Sequence, residues 1–297
     1  MSTLNENLTR LSNARDDIIS AISEMGGTVS NLDGFEDFPD DIRSINTDTG
    51  GYIEHKEWNT LTNFNGSEVW TDGENTYYSY SGHNYILNKS TSTWETKTWN
   101  GLTNIRGYHI WTDGDIIYYS SASQQYVLNK ETSTWTTKTW SGMTYFSGNY
   151  IWTDGTDIYY SDYSTQYVLN KSSSTWVAKS WNNFTPGYGF YIWTDGTNIY
   201  YSSGSQQYIL DKSTSTWNTK SWNSGGTTTL TSFSGNNIWT DGKNIYYSYN
   251  TSNSCNNFVL DKSTSTWYDI KISSGESIWT DGEHIYSSAN TTQVIIK

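Results

Sequence analysis

Few residues of this chain could do chemistry, and the commonest of them recur at regular intervals. An aspartate lies in each of six WTDG strings: Asp72, Asp113, Asp154, Asp195, Asp241 and Asp281. A hard cation such as Ca²⁺ needs several oxygens that converge on one point. Aspartate is also favoured in tight turns, where its carboxylate accepts hydrogen bonds from nearby backbone N–H groups. Because each aspartate stands alone in its own repeat, we expect it to stabilise a turn rather than to bind calcium.

The WTDG strings mark an internal repeat. Their tryptophans are Trp70, Trp111, Trp152, Trp193, Trp239 and Trp279, and (S/T)STW follows each of the first five copies. In the unit 191–222 we predict strands a (YIWT), b (NIYYS), c (QYIL) and d (TWNTKSW), with an Asp-Gly hairpin turn between a and b. A repeated four-stranded unit of about 40 residues is typical of a β-propeller.

The two ends of the array predict six blades. The last unit ends after strand c, so it has no strand d of its own. The stretch 52–59 resembles strand d of the other units, since Trp58 lies as far before Trp70 as Trp99 lies before Trp111. We therefore expect this N-terminal strand to complete the last blade. Such closure leaves no open edge in the ring.

The second half of each unit resembles a kelch repeat. Kelch blades have a strand that ends near an aspartate and a tryptophan about six residues later, and the stretch Leu210–Trp217, LDKSTSTW, matches this pattern. Tyr-Tyr-Ser replaces the Gly-Gly doublet that usually ends kelch strand b. The resemblance covers about residues 52–297 and implies an all-β, six-bladed, kelch-like propeller for residues 49–297. It bears on fold only, since propellers host many functions.

The aromatic and lysine residues recur at fixed strand positions. Adjacent tyrosines such as Tyr118 and Tyr119 point to opposite faces of a blade, and neighbouring blades cover both faces, so both rings can be buried. The repeated rings could instead stack on sugars. We expect the repeated lysines to form a solvated rim: Lys56, Lys97, Lys138, Lys179, Lys220 and Lys271.

Composition and motifs argue against several functions. The net charge of −13 disfavours nucleic acid and acidic membranes as partners, and no apolar run reaches the ~18 residues of a membrane span. Propeller sialidases use three arginines, whereas this propeller has Arg106 alone. A kelch-type copper oxidase needs a histidine set and a Tyr–Cys pair. Here the four histidines fall at different blade positions, and Cys255 lies in a loop. We expect no catalytic site, metal or cofactor.

Residues 1–48 form an acidic segment, with ten Asp or Glu residues and three arginines. Its apolar residues follow two stripes with helical spacing, which predict a small α-helical anchor or oligomerisation segment. The stripes are Leu4, Leu8, Leu11, Ile18 and Ile22, then Phe35, Phe38, Ile42 and Ile45. A self-contained helical hairpin is the alternative.

The stretch 13–45 resembles small N-terminal modules of bacteriophage tail, fibre and appendage proteins. Met25–Val29 and Phe38–Ile45 stand where those modules have Gly-Val-x-Val and a second, isoleucine-rich helix. The resemblance implies a virion protein that is assembled in the host cytoplasm, attached to other virion proteins through residues 1–48, and homo-oligomeric. The alternative is a soluble multivalent lectin, either extracellular or cytoplasmic.

Comparison of the units predicts one variable face. The a–b and c–d turns hardly differ between units, whereas the b–c and d–a loops do, and these two kinds of loop emerge on the same side of an up-and-down blade. We expect this side to recognise a host-surface glycan or protein, with residues 1–48 on the opposite side. Unselected drift of the loops is the alternative. The candidate ligand-facing residues are Arg106, Tyr108, Tyr145, Phe146, Tyr163, Phe184, Tyr188, Tyr249 and Asn253.

Overall fold

The strands of the computed structural model form six antiparallel sheets, each of which is one blade of a propeller. The structure describes residues 53–224, 230, 232–250, 255–270 and 277–296. Blade 1 contains β2 (Val69–Thr71), β3 (Thr76–Tyr80), β4 (His83–Asn88) and β5 (Thr93–Thr96). Blade 2 contains β6 (Ile110–Thr112), β7 (Ile117–Ser121), β8 (Gln124–Asn129) and β9 (Thr134–Thr137). Blade 3 contains β10 (Ile151–Thr153), β11 (Ile158–Ser161), β12 (Gln166–Asn170) and β13 (Thr175–Ala178).

The remaining blades follow the same order of strands. Blade 4 contains β14 (Ile192–Thr194), β15 (Ile199–Ser203), β16 (Gln206–Asp211) and β17 (Thr216–Thr219). Blade 5 contains β19 (Ile238–Thr240), β20 (Ile245–Asn250), β21 (Cys255–Asp261) and β22 (Thr266–Ile270), with β18 (Asn223–Ser224) added in parallel to β22. Blade 6 contains β23 (Ile278–Thr280), β24 (Ile285–Ala289), β25 (Thr292–Ile296) and β1 (Ile53–His55).

The N-terminal strand closes the ring, as the sequence predicts. β1 pairs antiparallel with β25, and Ile53 stands opposite Ile296. Beyond the strand, Trp58 lies 5.9 Å from Trp279 of blade 6 and 5.7 Å from Trp94 of blade 1, measured between ring centroids. The all-β, six-bladed, four-stranded architecture is confirmed. The helical segment predicted for residues 1–48 lies outside the described residues.

The repeated aspartate stabilises the a–b turn. In blade 2, one Asp113 oxygen accepts hydrogen bonds from the backbone N–H groups of Asp115 and Ile116, at 3.1 and 2.8 Å. Its other oxygen accepts the hydroxyl hydrogen of Tyr118 at 3.1 Å. Partial burial alone would raise the pKa of the equivalent Asp195, but the hydrogen bonds it accepts lower that pKa below its usual value. The turn role that we predicted for these aspartates is thus confirmed.

The aromatic residues form the interfaces between blades. Between blades 2 and 3, Trp111, Tyr118 and Trp140 of one blade pack against Trp176 and Tyr160 of the next, and all five are buried. The ring centroids of Trp140 and Trp176 are 5.9 Å apart. Within the described residues, equivalent clusters join blades 1 and 2, 3 and 4, 4 and 5, and 6 and 1. Because these rings are buried, they form the core, and the sugar-stacking alternative is wrong for them.

Strand d is shorter than predicted, because the chain after it crosses to the next blade. In blade 4, strand d ends at Thr219, and Trp222 inserts between blades. The crossing segments that follow strand d of blades 1 to 4 pair in parallel with the strand d of the next blade. After blade 1, the backbone N–H of Asn100 donates to Ser133 at 2.9 Å, and that of Trp135 donates back to Asn100 at 2.9 Å. The outer edge of the blade is therefore covered, which removes an exposed site for aggregation.

The repeated lysines do not form a solvated rim, contrary to the sequence expectation. The ammonium of Lys138 lies 4.6 Å from the ring centroid of Trp140 and donates a hydrogen bond to Ser174 of the next blade at 2.9 Å. Lys56, Lys97, Lys179 and Lys220 make the same pair of contacts, and Lys271 lies outside the described residues. The long alkyl stem lets the charge reach an acceptor while the side chain covers the tryptophan.

We expect Lys138→Ala to lower the free energy of unfolding by about 1–2 kcal/mol, since it removes a cation–π contact and a hydrogen bond between blades. Lys243→Ala is the control, because Lys243 is an exposed lysine of the a–b turn in blade 5. It should change stability by less than about 0.5 kcal/mol. Denaturant melts followed by tryptophan fluorescence measure both values. Equal effects of the two substitutions would contradict a structural role for Lys138.

The propeller has two chemically distinct ends. At one end, which we call the turn face, Lys130 of a c–d turn donates a hydrogen bond to the backbone oxygen of Asp72 in the neighbouring a–b turn, at 3.1 Å. At the other end, the loop face, Gln125 donates to the backbone oxygens of Ala122 in a b–c loop and Phe146 in a d–a loop, at 2.6 and 3.2 Å. The variable b–c and d–a loops therefore share one face, as expected.

Candidate functional site

A ring of short 3-10 turns leads from the d–a loops into strand a on the loop face. The turns are Gly66–Glu68, Gly107–His109, Gly148–Tyr150, Gly189–Tyr191 and Gly235–Asn237. Each glycine packs on a backbone carbonyl of the preceding blade. A Cβ on Gly148 would overlap the carbonyl oxygen of His109, and a Cβ on Gly107 would overlap that of Glu68. The first position is therefore fixed as glycine, while the next two positions are free to differ between blades.

The third position of the first three turns faces a different partner in each case. Glu68 of the first turn pairs with Arg106 of the next blade. His109 of the second turn shares a hydrogen bond of 2.8 Å with Ser147, and Tyr150 of the third turn lies 5.2 Å from the Tyr188 ring. Chemistry on this face thus changes from one interface to the next on an otherwise repeated scaffold.

A groove of about 670 Å³ opens at the first of these interfaces. Tyr78, Tyr80 and Tyr85 of blade 1 and Tyr108 of the neighbouring turn supply its aromatic lining. Burial raises the pKa of Tyr78 to about 12, so its hydroxyl stays protonated at neutral pH. The amide, hydroxyl and imidazole groups of the lining belong to Asn63, Asn65, Ser67, His83 and Asn290.

The Glu68–Arg106 pair forms the charged end of the groove. The Glu68 carboxylate is 3% exposed, and one of its oxygens accepts hydrogen bonds from Nε and Nη2 of Arg106, at 2.8 and 2.7 Å. Its other oxygen accepts the backbone N–H of Gly107 at 2.9 Å. The Arg106 side chain is 36% exposed and lies between the rings of Tyr80 and Tyr108, at 4.4 and 5.1 Å from their centroids.

The two charges depend on each other. Burial raises the pKa of Glu68 above its ordinary value, and the hydrogen bonds from Arg106 and Gly107 only partly offset that rise. Burial alone would lower the pKa of Arg106, but its hydrogen bond to Glu68 outweighs this and raises the pKa. Glu68 without its arginine would be a buried, unpaired carboxylate.

We expect Arg106→Ser to lower the free energy of unfolding by about 2–3 kcal/mol, because it leaves Glu68 buried and unpaired. The double variant Glu68→His/Arg106→Ser rebuilds the His109–Ser147 pair that the next interface already contains. It should recover most of the lost stability. Thermal and denaturant melts of the two variants test this. A double variant no more stable than Arg106→Ser would contradict the pairing.

The side chain of His109 has a shifted pKa. Burial and, to a smaller extent, the nearby positive charge of Arg106 together lower its pKa to about 4. In the unfolded chain a histidine titrates near its ordinary value of 6.5. The unfolded state therefore binds this proton first as the pH falls, so His109 contributes stability above pH 6.5 that is lost towards pH 4.

The pH dependence of stability should reveal this histidine. We expect His109→Asn, which copies Asn237 of the equivalent position in blade 5, to reduce the stability loss between pH 7 and pH 4.5 by about 2 kcal/mol. Melting curves of both proteins across that range provide the measurement. Parallel pH profiles would show that His109 is not held neutral in the folded protein.

Aromatic rings gather on another part of the loop face, at blades 3 and 4, where Tyr163 is exposed and the other rings are half-buried. We call Tyr150, Tyr163, Tyr188 and Phe190 the aromatic shelf. Tyr163 is 80% exposed and lies 6.4 Å from Tyr188, which stacks on Phe190 with centroids 5.3 Å apart. Tyr145, in the d–a loop after blade 2, is 72% exposed. Accessible aromatic groups that cluster in this way are typical of an interaction surface.

The structure brings some of the predicted ligand-facing residues together and excludes one. Arg106 and Tyr108 meet in the groove, whereas Tyr163 and Tyr188 belong to the aromatic shelf. Phe146 is 1% exposed because it plugs the interface core, so the expectation that it faces a ligand is wrong.

Other candidates are less accessible or fall outside the description. Phe184 is half-buried against Tyr208, with parallel rings 3.8 Å apart. Tyr249 lies in β20, but its side chain is not among those described, and Asn253 lies outside the described residues.

Sequence reasoning missed Glu68 and Tyr80. The available signal for Glu68 was a carboxylate at a position that holds histidine, tyrosine, asparagine or serine in the other units. The propeller's single arginine lies in the next unit. Tyr80 was hidden because it continues a strand whose other tyrosines are buried.

One group of possible metal ligands serves a turn instead. The ligand atoms of Asp281, Glu283 and His284 lie within 4.8 Å of one another. The Asp281 carboxylate already accepts hydrogen bonds from the backbone of Glu283 and His284 and from the Tyr286 hydroxyl. These are the same bonds that the repeated aspartate makes in other blades, so the group is explained by turn structure.

No protein-family model and no curated protein matches this chain. Solved structures that resemble it include a putative exported protein from Bacteroides fragilis, with 11% identity, coverage of 76% of this chain and 77% of that chain, and a TM-score of 0.48. The extracellular domain of a putative hybrid two-component system from B. thetaiotaomicron has 10% identity, coverage of 76% and 33%, and a TM-score of 0.47. PorZ, a surface component of the type-IX secretion system of Porphyromonas gingivalis, has 14% identity, coverage of 80% and 32%, and a TM-score of 0.45.

The chain spans about a third of the length of the latter two proteins. At such low identity, these likenesses carry no information about function. Within the part of the chain that the structure describes, no helix has the length and apolar character needed to cross a membrane.

Proposed function

We propose that this chain is a receptor-binding appendage of a bacteriophage virion. In this proposal the loop face recognises a glycan or protein of the host surface, and residues 1–48 attach the propeller to other virion proteins. The observation that carries the binding role is the location of the differences between blades. The Asp-Gly turns and the tryptophans and tyrosines of the interfaces recur from blade to blade, whereas the loop face holds an ion pair with a groove at one interface and a cluster of aromatic rings at others.

Drift alone accounts poorly for this pattern. The Glu68–Arg106 pair requires matching substitutions in two neighbouring units, and either one alone would bury an unpaired charge or leave an arginine without its carboxylate. Similarly, an exposed ring such as Tyr163 gains nothing for stability at 80% exposure. Retention of both features supports selection for contact with another molecule.

The virion assignment rests on the resemblance of residues 13–45 to bacteriophage tail and appendage modules. Purified phage particles from the producing bacterium test it: we expect the chain to co-sediment with phage DNA and capsid protein in a density gradient. Recovery solely as free protein would contradict attachment to the virion. Mass spectrometry of the gradient fractions distinguishes the two results.

The binding role is tested with fluorescently labelled full-length protein and cells of the host strain. We expect Tyr80→Ala and Tyr163→Ala, on the loop face, to weaken cell binding at least tenfold in combination, since aromatic contacts dominate recognition surfaces. The matched control is Lys243→Ala on the turn face, which should bind normally. Unchanged binding by the double variant would contradict recognition through the loop face.

A soluble multivalent lectin is the second candidate, and the aromatic shelf favours it, because exposed tyrosine rings can stack on sugars. A glycan array separates the candidates when it is combined with the particle experiment. Free protein that binds one common sugar at several sites supports the lectin. Particle-associated protein supports the appendage.

A further inference from the structure

We propose that the groove beside Arg106 is a binding site for a saccharide that carries a carboxylate, such as a uronic acid residue of a surface polysaccharide. This inference rests on the proposed function and names the ligand class of the loop face. The geometry points to it through three features of the groove: the free edge of the Arg106 guanidinium, the two rings that flank this group, and the polar rim.

One edge of the Arg106 guanidinium bonds to Glu68, and the other edge faces the groove. One oxygen of Glu68 accepts hydrogen bonds from Nε and Nη2 of Arg106. Its second oxygen accepts a hydrogen bond from the backbone N–H of Gly107. The remaining Nη1 and Nη2 hydrogens point away from Glu68 along the outer edge. Since the side chain is 36% exposed and lines the groove, this edge is accessible to a ligand.

The outer edge is held in one orientation. Tyr80 and Tyr108 flank the planar group, and the fixed Glu68 carboxylate prevents its rotation. Two parallel N–H groups in a fixed plane match the two oxygens of a carboxylate, which makes a bidentate pair stronger and more directional than a contact with a single hydroxyl. Pre-organisation of this kind reduces the entropy lost on binding.

The remainder of the groove fits a sugar ring. Its volume of about 670 Å³ lies within the range of small-molecule sites, roughly 300–1,000 Å³. Tyr85 and the outer parts of Tyr80 and Tyr108 offer faces for the C–H groups of a sugar. Asn63, Asn65, Ser67 and Asn290 supply amide and hydroxyl groups for its hydroxyls.

The net charge of the propeller favours carboxylate binding at Arg106 over binding elsewhere on the surface. Residues 49–297 carry a net charge of −6, which follows from −13 for the whole chain and −7 for residues 1–48. A carboxylate is therefore repelled by most of the surface and finds a favourable partner at Arg106. A neutral sugar would meet no such distinction between this groove and the aromatic shelf.

The test uses full-length protein and ligand-observed NMR titrations with paired probes: galacturonic acid against galactose, and glucuronic acid against glucose. We expect each acid to bind at least tenfold more tightly than its neutral partner. Arg106→Lys keeps the charge but loses the bidentate edge, so it should weaken binding of the acids at least tenfold. Lys243→Ala, an exposed residue of the turn face, is the matched control and should bind the acids normally.

Three results would overturn the proposal: equal affinity for acid and neutral sugars, unchanged acid binding by Arg106→Lys, or equally tight binding of acetate or an acidic peptide in place of the sugar acids. Should Arg106→Lys fail to fold, Tyr108→Ala replaces it as the test, because the Tyr108 side chain is exposed and its removal should not disturb folding. This variant should bind the sugar acids at least fivefold more weakly.

The cell-binding experiment separates this inference from the function on which it rests. Protein that binds host cells through the loop face, but does not distinguish the sugar acids, refutes the ligand class alone. Protein that binds the sugar acids through Arg106, but binds cells equally well after loop-face substitution, refutes the receptor role alone.

Discussion

The interface between neighbouring blades is the constraint on which the rest of this structure depends. A single four-stranded blade exposes tryptophan and tyrosine rings on both faces and cannot bury them by itself. Trp140 has its place only because Trp111 lies on one side and Trp176 of the next blade on the other. Every blade therefore requires two neighbours, and the array is satisfied when it closes on itself. This requirement explains why β1 joins β25, and why Trp58 occupies the position at the closing interface that Trp140 occupies between blades 2 and 3.

The same constraint divides the surface into fixed and free parts. Residues that hold blades together, such as Lys138 over Trp140, recur because each interface packs the same kinds of side chains in the same geometry. In the 3-10 turns, the first glycine must touch a carbonyl of the preceding blade, while the next two positions hold different residues in different blades. The ion pair, the groove and the aromatic shelf, which differ between blades, therefore all lie on the loop face.

The repeat made much of the fold predictable from sequence. Six WTDG strings and the displaced strand at 52–59 defined the blades and their closure, because a strand that is uncertain in one unit can be assigned from its equivalents in the others. The end of strand d was missed, since the residues Lys-Ser-Trp suit a strand equally well, and their crossing to the next blade depends on tertiary contacts. The lysines were misjudged for the same reason: a charge in a polar stretch indicates solvent until Trp140 and Ser174 are seen to surround it. In the candidate site, Arg106 and Tyr108 were found as loop residues, but Glu68 acquires its meaning only from a neighbour 38 residues later.

Hydrogen exchange at the closing strand tests the central claim most directly. If the ring is closed by β1, its amide hydrogens that bond to β25 should exchange as slowly as those of β17 that bond to β16, since β17 is an internal strand d with the same antiparallel pairing to its strand c. Both should become exposed only on global unfolding, because the interface between blades 6 and 1 is built like the others. Rapid exchange of β1 while β17 remains protected would show an open array, and the account of six mutually supporting blades would be wrong.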